Sequence, residues 1–295
     1  MSANIDDAVC ASCGIAEIDE IKLKKCAACK SVQYCSDECE ADHRQHHEGA
    51  CEKRAAELRD EILFKQPESC YLGDCPICFL PLPHAPKKTL LWTCCSKKIC
   101  KGCLYAHYLR NGLKLTCPFC RHPVPKSEAE VDFNLMLRID KNDPVAMRQM
   151  GAKRYKEGDY SIAFEYFTKS AKFGDVSSHY KLAGMYYKGG GVEKDEKKEI
   201  HHWEEAAISG HPGARHNLGV IEMKNGRPER AVKHFIIAAN LGNDRSMKAL
   251  WECYAEGYIS KDDLTVTLRT HRAAINETKS SQREAAEEAE KRGVF

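Results

Sequence analysis

Between residues 75 and 120 the chain places eight cysteines in 46 residues. They read Cys75-x-x-Cys78, Cys94-Cys95, Cys100-x-x-Cys103 and Cys117-x-x-Cys120, so six of the eight stand in C-x-x-C pairs. A C-x-x-C turn brings two thiolates to one metal ion, and tetrahedral zinc takes two such pairs. Eight ligands therefore imply two zinc ions. A second cluster precedes the first. Cys10-x-x-Cys13, Cys26-x-x-Cys29, Cys35-x-x-x-Cys39 and His47-x-x-x-Cys51 offer another eight donors. The last two pairs are spaced i, i+4, which sets both ligands on one face of a helix. Ser36-Asp37-Glu38 reads as the start of that helix, with a hydroxyl cap and early acids. His43 and His46 stand near His47 and compete with it on spacing alone.

Composition bounds the rest. A chain of 295 residues allows two or three domains. Its net charge of +2 gives no global electrostatic case for nucleic acid or an anionic membrane. Lysines cluster at 22–30 and 97–101, but nothing organises them as a reading surface. Sixteen of the seventeen cysteines precede residue 121, and only Cys253 follows. Met1 to Val9 is polar and acidic with no apolar signal segment. The expectation is therefore metal in a reducing compartment, not a secreted disulfide framework. No apolar run approaches a membrane span. The chain reads as intracellular, in cytoplasm or nucleus.

Further elements must position these ligands. Residues 53–72 read as a helical linker, since Glu52 to Lys65 is rich in helix formers and Pro67 ends it. Leu58, Ile62 and Phe64 give it a short apolar side, and Cys70 reads as a free thiol. Residues 126–143 form an acidic connector. Its Phe133, Leu135, Leu137 and Ile139 alternate, which suits a short strand or an extended segment. From 144 to 278 the chain repeats. Gly174, Gly210 and Gly242 close units 36 and 32 residues apart. Phe167, Trp203 and Phe235 precede them by seven residues, and Leu182, Leu218 and Leu250 follow by eight. Phe164, Ile200 and Val232 stand three residues before the aromatics. Such offsets describe one helix face, so each unit is a helix pair and the array a solenoid. The recurrent aromatics are core. A fourth unit begins at Met247 and Leu250, with a decayed second helix in which Thr270 and Glu277 replace the aromatic and the glycine. It suits a cap. His201, His202 and His211 read as surface residues. The charged tail, 279–295, reads as a solvated helix or a disordered end.

Residues 1–52 closely resemble the MYND zinc finger, matching all eight ligand positions with a final H-x-x-x-C. The resemblance implies a cross-brace. Cys10, Cys13, Cys35 and Cys39 would hold one zinc, and Cys26, Cys29, His47 and Cys51 the other. That family binds proteins and has no catalysis of its own. Fingers of this type often sit beside a SET methyltransferase domain, but no matching signature follows here.

Residues 73–125 resemble the RING finger of many ubiquitin ligases. By that family's cross-brace, Cys75, Cys78, Cys100 and Cys103 bind one zinc, and Cys94, Cys95, Cys117 and Cys120 the other. The chain departs from the common form. Lys97 stands where a histidine is usual, and Cys94 is adjacent to Cys95 rather than one residue further off. Neighbouring side chains in an extended strand point apart, so His84 or His107 stands as an alternative ligand to Cys94. The resemblance makes Ile77, Pro118 and Arg121 the contacts to a ubiquitin-conjugating enzyme. No tryptophan occurs at 104–108, where the family often has one.

The segment from Leu182 to Gly210 resembles the SEL-type repeat, a relative of the tetratricopeptide repeat. Together these readings give a multi-domain, mostly α protein: two small cross-brace zinc modules of short β-hairpins plus helix, and a C-terminal α-solenoid. The expected function is protein interaction dependent on four zinc ions. The leading form is a RING-type ubiquitin ligase whose MYND and repeat modules recruit substrate, and the alternative is a non-catalytic adaptor. The partners would be proteins, with no clear nucleic acid and no membrane.

Overall fold

A computed structural model describes residues 9–18, 20–112 and 116–294. The acidic N-terminal stretch before Val9, Leu113–Leu115 of the central module and the final residue of the tail lie outside the described residues. The chain divides into two units, Met1–Lys65 and Gln66–Phe295.

The first unit has almost no apolar interior. Strands β1 (Lys24–Lys25) and β2 (Gln33–Tyr34) pair antiparallel. Helix α1 (Asp37–Leu63) follows, capped by the Ser36 hydroxyl, which accepts from the Cys39 amide at 3.2 Å. The helix runs straight through residue 52, so finger and linker share one element. The buried cluster here is Cys10, Cys26, Cys29 and Tyr34: three thiols and one ring.

The second unit begins with a small module. Strands β3 (Thr89–Trp92) and β4 (Lys97–Cys100) form an antiparallel hairpin, and α2 (Lys101–Asn111) starts directly from β4. Cys100 caps α2 through its sulfur, which accepts from the Cys103 amide at 3.4 Å. Leu82, Trp92 and Ile99 pack among the ligand thiols.

The connector is a helix, α3 (Glu128–Ile139), and not the strand or extended segment its alternation suggests. Ser127 caps it, accepting from the Glu130 amide. Its packed face is Val131, Leu135 and Ile139, spaced by four against Ala146 and Met150, while Phe133 and Leu137 point outward.

The solenoid comprises four helix pairs: α4 (Pro144–Glu157) with α5 (Tyr160–Lys172), α6 (Val176–Lys188) with α7 (Glu196–Ile208), α8 (Pro212–Lys224) with α9 (Pro228–Asn240), and α10 (Asp244–Ala255) with α11 (Lys261–Glu277). Phe167, Trp203 and Phe235, with Leu182, Leu218 and Leu250, are all buried in it. The second helix of the fourth pair has not decayed. The 32-residue spacing carries through, placing Leu264 and Thr267 in the core where Val232 and Phe235 stand one repeat earlier, while Thr270 faces out. His271 then ties this helix back, with Nδ1 at 3.0 Å from the Ala239 carbonyl and Nε2 at 3.1 Å from Asp244.

The tail also is ordered into a helix, α12 (Ser281–Lys291), and it packs on α2. Ala286 and Ala289 are buried, with Arg283 on the same face. The small stripe lets the helix sit close. At Gly102 of α2, an added Cβ would lie 2.9 Å from the Arg283 side chain.

The central module lies against the repeats. The Tyr71 amide donates to the Gly210 carbonyl at 3.3 Å. His84 Nε2 is 2.7 Å from the Leu241 carbonyl, and Asn240 donates to Gln66. His211 is buried, not on the surface as its polarity suggests, because its ring stacks between Tyr71 (4.4 Å) and Tyr180 (4.3 Å).

Gly174 and Gly210 share a left-handed backbone, φ +83° and +82°. A Cβ at Gly174 meets open space, whereas at Gly210 it would lie 2.6 Å from the Ser69 carbonyl. Gly174→Ala is expected to lose only the backbone term, about 1 kcal/mol. Gly210→Ala is expected to lose more and to loosen the module from the solenoid. Urea unfolding of both variants tests this, and equal losses would refute the contact's role.

Candidate metal centres

Four groups of four donors come together, each within 4.8 Å internally. They are Cys10, Cys13, Cys35, Cys39; Cys26, Cys29, His47, Cys51; Cys75, Cys78, Cys100, Cys103; and Cys94, Cys95, Cys117, Cys120. Both modules therefore interleave their pairs, first with third and second with fourth. Sulfur pairs within the groups stand 3.4 to 3.8 Å apart. A disulfide needs about 2.0 Å. The edge of a tetrahedron with metal–sulfur bonds near 2.3 Å is about 3.8 Å. The donor sets thus fit a tetrahedral thiophilic ion such as zinc.

One turn is built four times. After Cys10-x-x-Cys13, Cys26-x-x-Cys29, Cys75-x-x-Cys78 and Cys117-x-x-Cys120, the next residue (Gly14, Lys30, Phe79, Arg121) has positive φ. In every case its amide donates to the carbonyl of the first cysteine, at 2.8 to 3.1 Å. The first cysteine's amide in turn donates to Ile15, Val32, Leu80 or His122. This small hairpin curls both sulfurs to one side. Three of the four occupants are not glycine, so each of those turns carries left-handed strain, of order 1–3 kcal/mol. Ligation of a metal ion by the two curled sulfurs would compensate it.

The remaining pairs come from helices and from a tight loop. Cys39, His47 and Cys51 all lie on α1, but Cys39 serves one group and His47 and Cys51 the other. One helix thus spans both centres. His47 Nε2 lies 3.2 Å from Cys29 Sγ. His43 is turned away, with Nδ1 at 3.1 Å from the Tyr34 hydroxyl. Adjacent Cys94 and Cys95 both reach their group because they sit in the turn between β3 and β4, where Ser96 has φ +56°. The backbone there is not extended, so neighbouring side chains need not diverge. The alternatives are engaged elsewhere: His107 Nε2 meets the Thr116 carbonyl at 2.7 Å, and His84 bridges Leu241 and Cys70.

The thiols perturb one another. Backbone amides, first that of Cys13, pull Cys10 down to about 6, while hydrogen bonds from Cys13 and Cys39 push Cys35 up to about 12. Burial and then Cys26 push Cys51 up to about 11. Burial chiefly raises Cys95 to about 11. Four such groups cannot all ionise side by side without a cation.

Arg283, from the tail helix, completes one centre. It is buried and donates to the carbonyls of Pro81 (2.7 Å), Thr278 (2.7 Å) and Leu80 (3.1 Å), and its Nη2 lies 3.4 Å from Cys78 Sγ. A four-thiolate site around a divalent ion keeps two excess negative charges, one of which this guanidinium offsets. Burial pushes Cys78 up, but the Leu80 amide and Arg283 outweigh it and hold it at about 7. Lys88–Glu287 (2.7 Å) and Lys101–Glu290 pairs fasten the helix on either side. Nothing in the composition of the tail signals this role, since its partners stand some two hundred residues earlier.

Residues 10–51 match the MYND finger family, and residues 144–175, 176–211 and 213–243 match the Sel1 repeat. The chain carries a MYND finger and three Sel1 repeats. Among curated proteins, the putative beta-lactamase HcpC of Helicobacter pylori is 43% identical over 56 residues, 19% of this chain and 19% of that protein. The same protein from another strain is 42% identical over 52 residues, 18% of each. The chain thus spans about a fifth of the length of these relatives. Among solved structures, a Sel1 repeat protein from Oxalobacter formigenes is 24% identical, with a TM-score of 0.45, covering 59% of this chain and 71% of that one. The protective antigen c5321 of uropathogenic Escherichia coli, which displays an SLR fold, is 26% identical, with a TM-score of 0.42, covering 50% and 33%. Among the described residues no helix is long and apolar enough to cross a membrane.

Two outcomes are expected. Arg283→Ala should weaken zinc at the Cys75, Cys78, Cys100, Cys103 centre roughly 10–100-fold, read by chelator competition, with the other centres unchanged. An undiminished affinity would show the guanidinium to be incidental. Full chelation should bring amide exchange in residues 9–36 to the unfolded rate while α4–α11 stay protected. Protection that survives at 9–36 would mean that metal is not what folds the first unit.

Proposed function

We propose that the chain is a zinc-dependent protein-interaction protein and, more specifically, a RING-type ubiquitin ligase, with four zinc ions in the groups above. Three- and four-thiolate tetrahedral sites favour zinc over hard cations. The ions are structural, because each group is closed by four protein donors. The observation that carries the ligase reading is a surface beside the two central groups. Ile77 is 39% exposed and Phe79 77% exposed, Pro118 is half-buried, and Arg121 is exposed. Helix α12 engages Leu80, Pro81, Lys101 and Gly102 and leaves these side chains open.

In this reading the module does no acid–base chemistry. It holds a conjugating enzyme and its ubiquitin thioester in a reactive pose while a substrate lysine attacks. Ile77 supplies an apolar contact. The bond from the Arg121 amide to the Cys117 carbonyl, 2.9 Å, fixes the backbone from which the Arg121 fork reaches both proteins. The metal-bearing turn and the arginine are therefore set by one hydrogen bond. Substrate recruitment falls to the MYND finger and to repeat surfaces away from the central module. There Trp251 and Tyr254 are exposed neighbours, 6.4 Å apart by ring centroids, of the type that anchors partners.

One observation favours the second reading, an adaptor without transfer activity. His107 stands four residues after Cys103 on α2, and its ring is committed to Thr116 rather than offered to a partner.

The test is discharge of ubiquitin from a panel of charged conjugating enzymes. Ile77→Ala should cut discharge at least tenfold with zinc content unchanged, since the side chain is largely outside the core. Partner capture with no discharge by the wild-type chain would establish the adaptor instead.

A further inference from the structure

The module and the repeats enclose a cleft of ≈ 780 Å³. That volume lies within the range of small-ligand sites, roughly 300–1,000 Å³. Its charge is one-sided. Lys98 from β4, Arg148 from α4, Lys181 from α6 and Arg245 from α10 line it, against a single carboxylate, Asp244. Arg148 is paired with Asp175 at 3.0 Å, and Asp244 is held by His271. Counting both acids, cations still lead by four to two. Among the described residues no carboxylate lies within ion-pair distance of Lys98, Lys181 or Arg245.

The backbone adds to this field. Ser177, Gly213 and Arg245 line the cleft from the first turns of α6, α8 and α10. The third amide of each first turn is taken by its cap, Asp175, His211 or Asn243, and Pro212 has none to offer. The remaining early amides have no acceptor within their own helix, and the aligned peptide dipoles place partial positive charge there. Three helices of 13, 13 and 12 residues thus open onto the same space as three unpaired cations. The histidines on the wall add no positive charge: burial drives His211 down to about 3 and lowers His84. Burial and then Arg148 lower Lys181, so this cation is costly to keep without an anion beside it.

We propose that this cleft binds a phosphate-bearing ligand, gripped by Lys98 and Lys181 from opposite walls and by first-turn amides of the repeat helices. Lysine ammonium groups and helix N-termini together suit a compact polyanion. The inference does not depend on ligase activity. Because Lys98 belongs to the central module and Lys181 to the repeats, the ligand would also bridge the two.

The experiment is calorimetric titration of the zinc-loaded full chain with pyrophosphate, with ATP, and with a phosphoserine peptide beside its serine form. One phosphorylated probe should bind at one site per chain. Lys98→Met and Lys181→Met should each weaken it at least tenfold, whereas Lys172→Met, exposed outside the cleft, should not. Binding of pyrophosphate or ATP points to a free phosphorylated metabolite, and binding of the phosphopeptide alone to a modified protein segment. As a second readout, each cleft variant should keep the melting temperature of the ligand-free chain or raise it, because it removes an uncompensated cation. No binding by any probe, binding that survives both substitutions, or equal binding of the serine peptide would overturn the proposal.

Discussion

The structure depends on thiolates being brought together closer than their charges allow. Sixteen donors in four groups stand at sulfur spacings that suit a shared tetrahedral ion and suit little else. Without a cation some of these thiols are held protonated by their neighbours and others pulled toward thiolate, so the groups are electrostatically frustrated. With one, the same crowding becomes the folding force. That matters most in residues 9–65, where the buried side chains among the described residues are three cysteines, Tyr34 and, at the far end of α1, Leu63. A bound metal there would supply what an apolar core does elsewhere, about 10–16 kcal/mol in comparable small sites.

The central module is held differently. It has a modest core of its own around Trp92 and Ile99, and the solenoid grips it from two directions. Repeat turns hold residues 66–84 through Gly210, His211 and Leu241. Beyond the fourth repeat the chain doubles back, and α12 delivers Arg283 to Cys78. The repeats are therefore scaffold as well as surface. Part of the face that a free solenoid would offer to partners is filled by this chain itself, and what remains between them is a basic cleft.

Much of this was legible because it rests on local spacing. C-x-x-C pairs are read directly, and i, i+4 ligands put Cys39, His47 and Cys51 on a helix. Positions recurring at 32 and 36 residues marked the repeat core down to Leu182 and Phe235. What escaped depends on partners distant in sequence. Alternation at Phe133 to Ile139 imitated a strand, while the packed face was the less obvious Val131, Leu135, Ile139. Ala286 and Ala289 looked like filler in a charged tail until α2 was beside them. His211 looked solvated because the two tyrosines that enclose it come from a repeat and from the module. Cys94 and Cys95 looked incompatible as co-ligands only while the chain around them was taken as extended.

The most direct test of the account is the zinc content of the intact chain by native mass spectrometry, with the protein prepared under reducing conditions. Four zinc ions per chain are predicted, falling to three when Cys94 and Cys95 are both changed to serine. Two or fewer on the unmodified, fully folded chain would contradict the account, since at least two of the four groups would then stand without the ion that explains them.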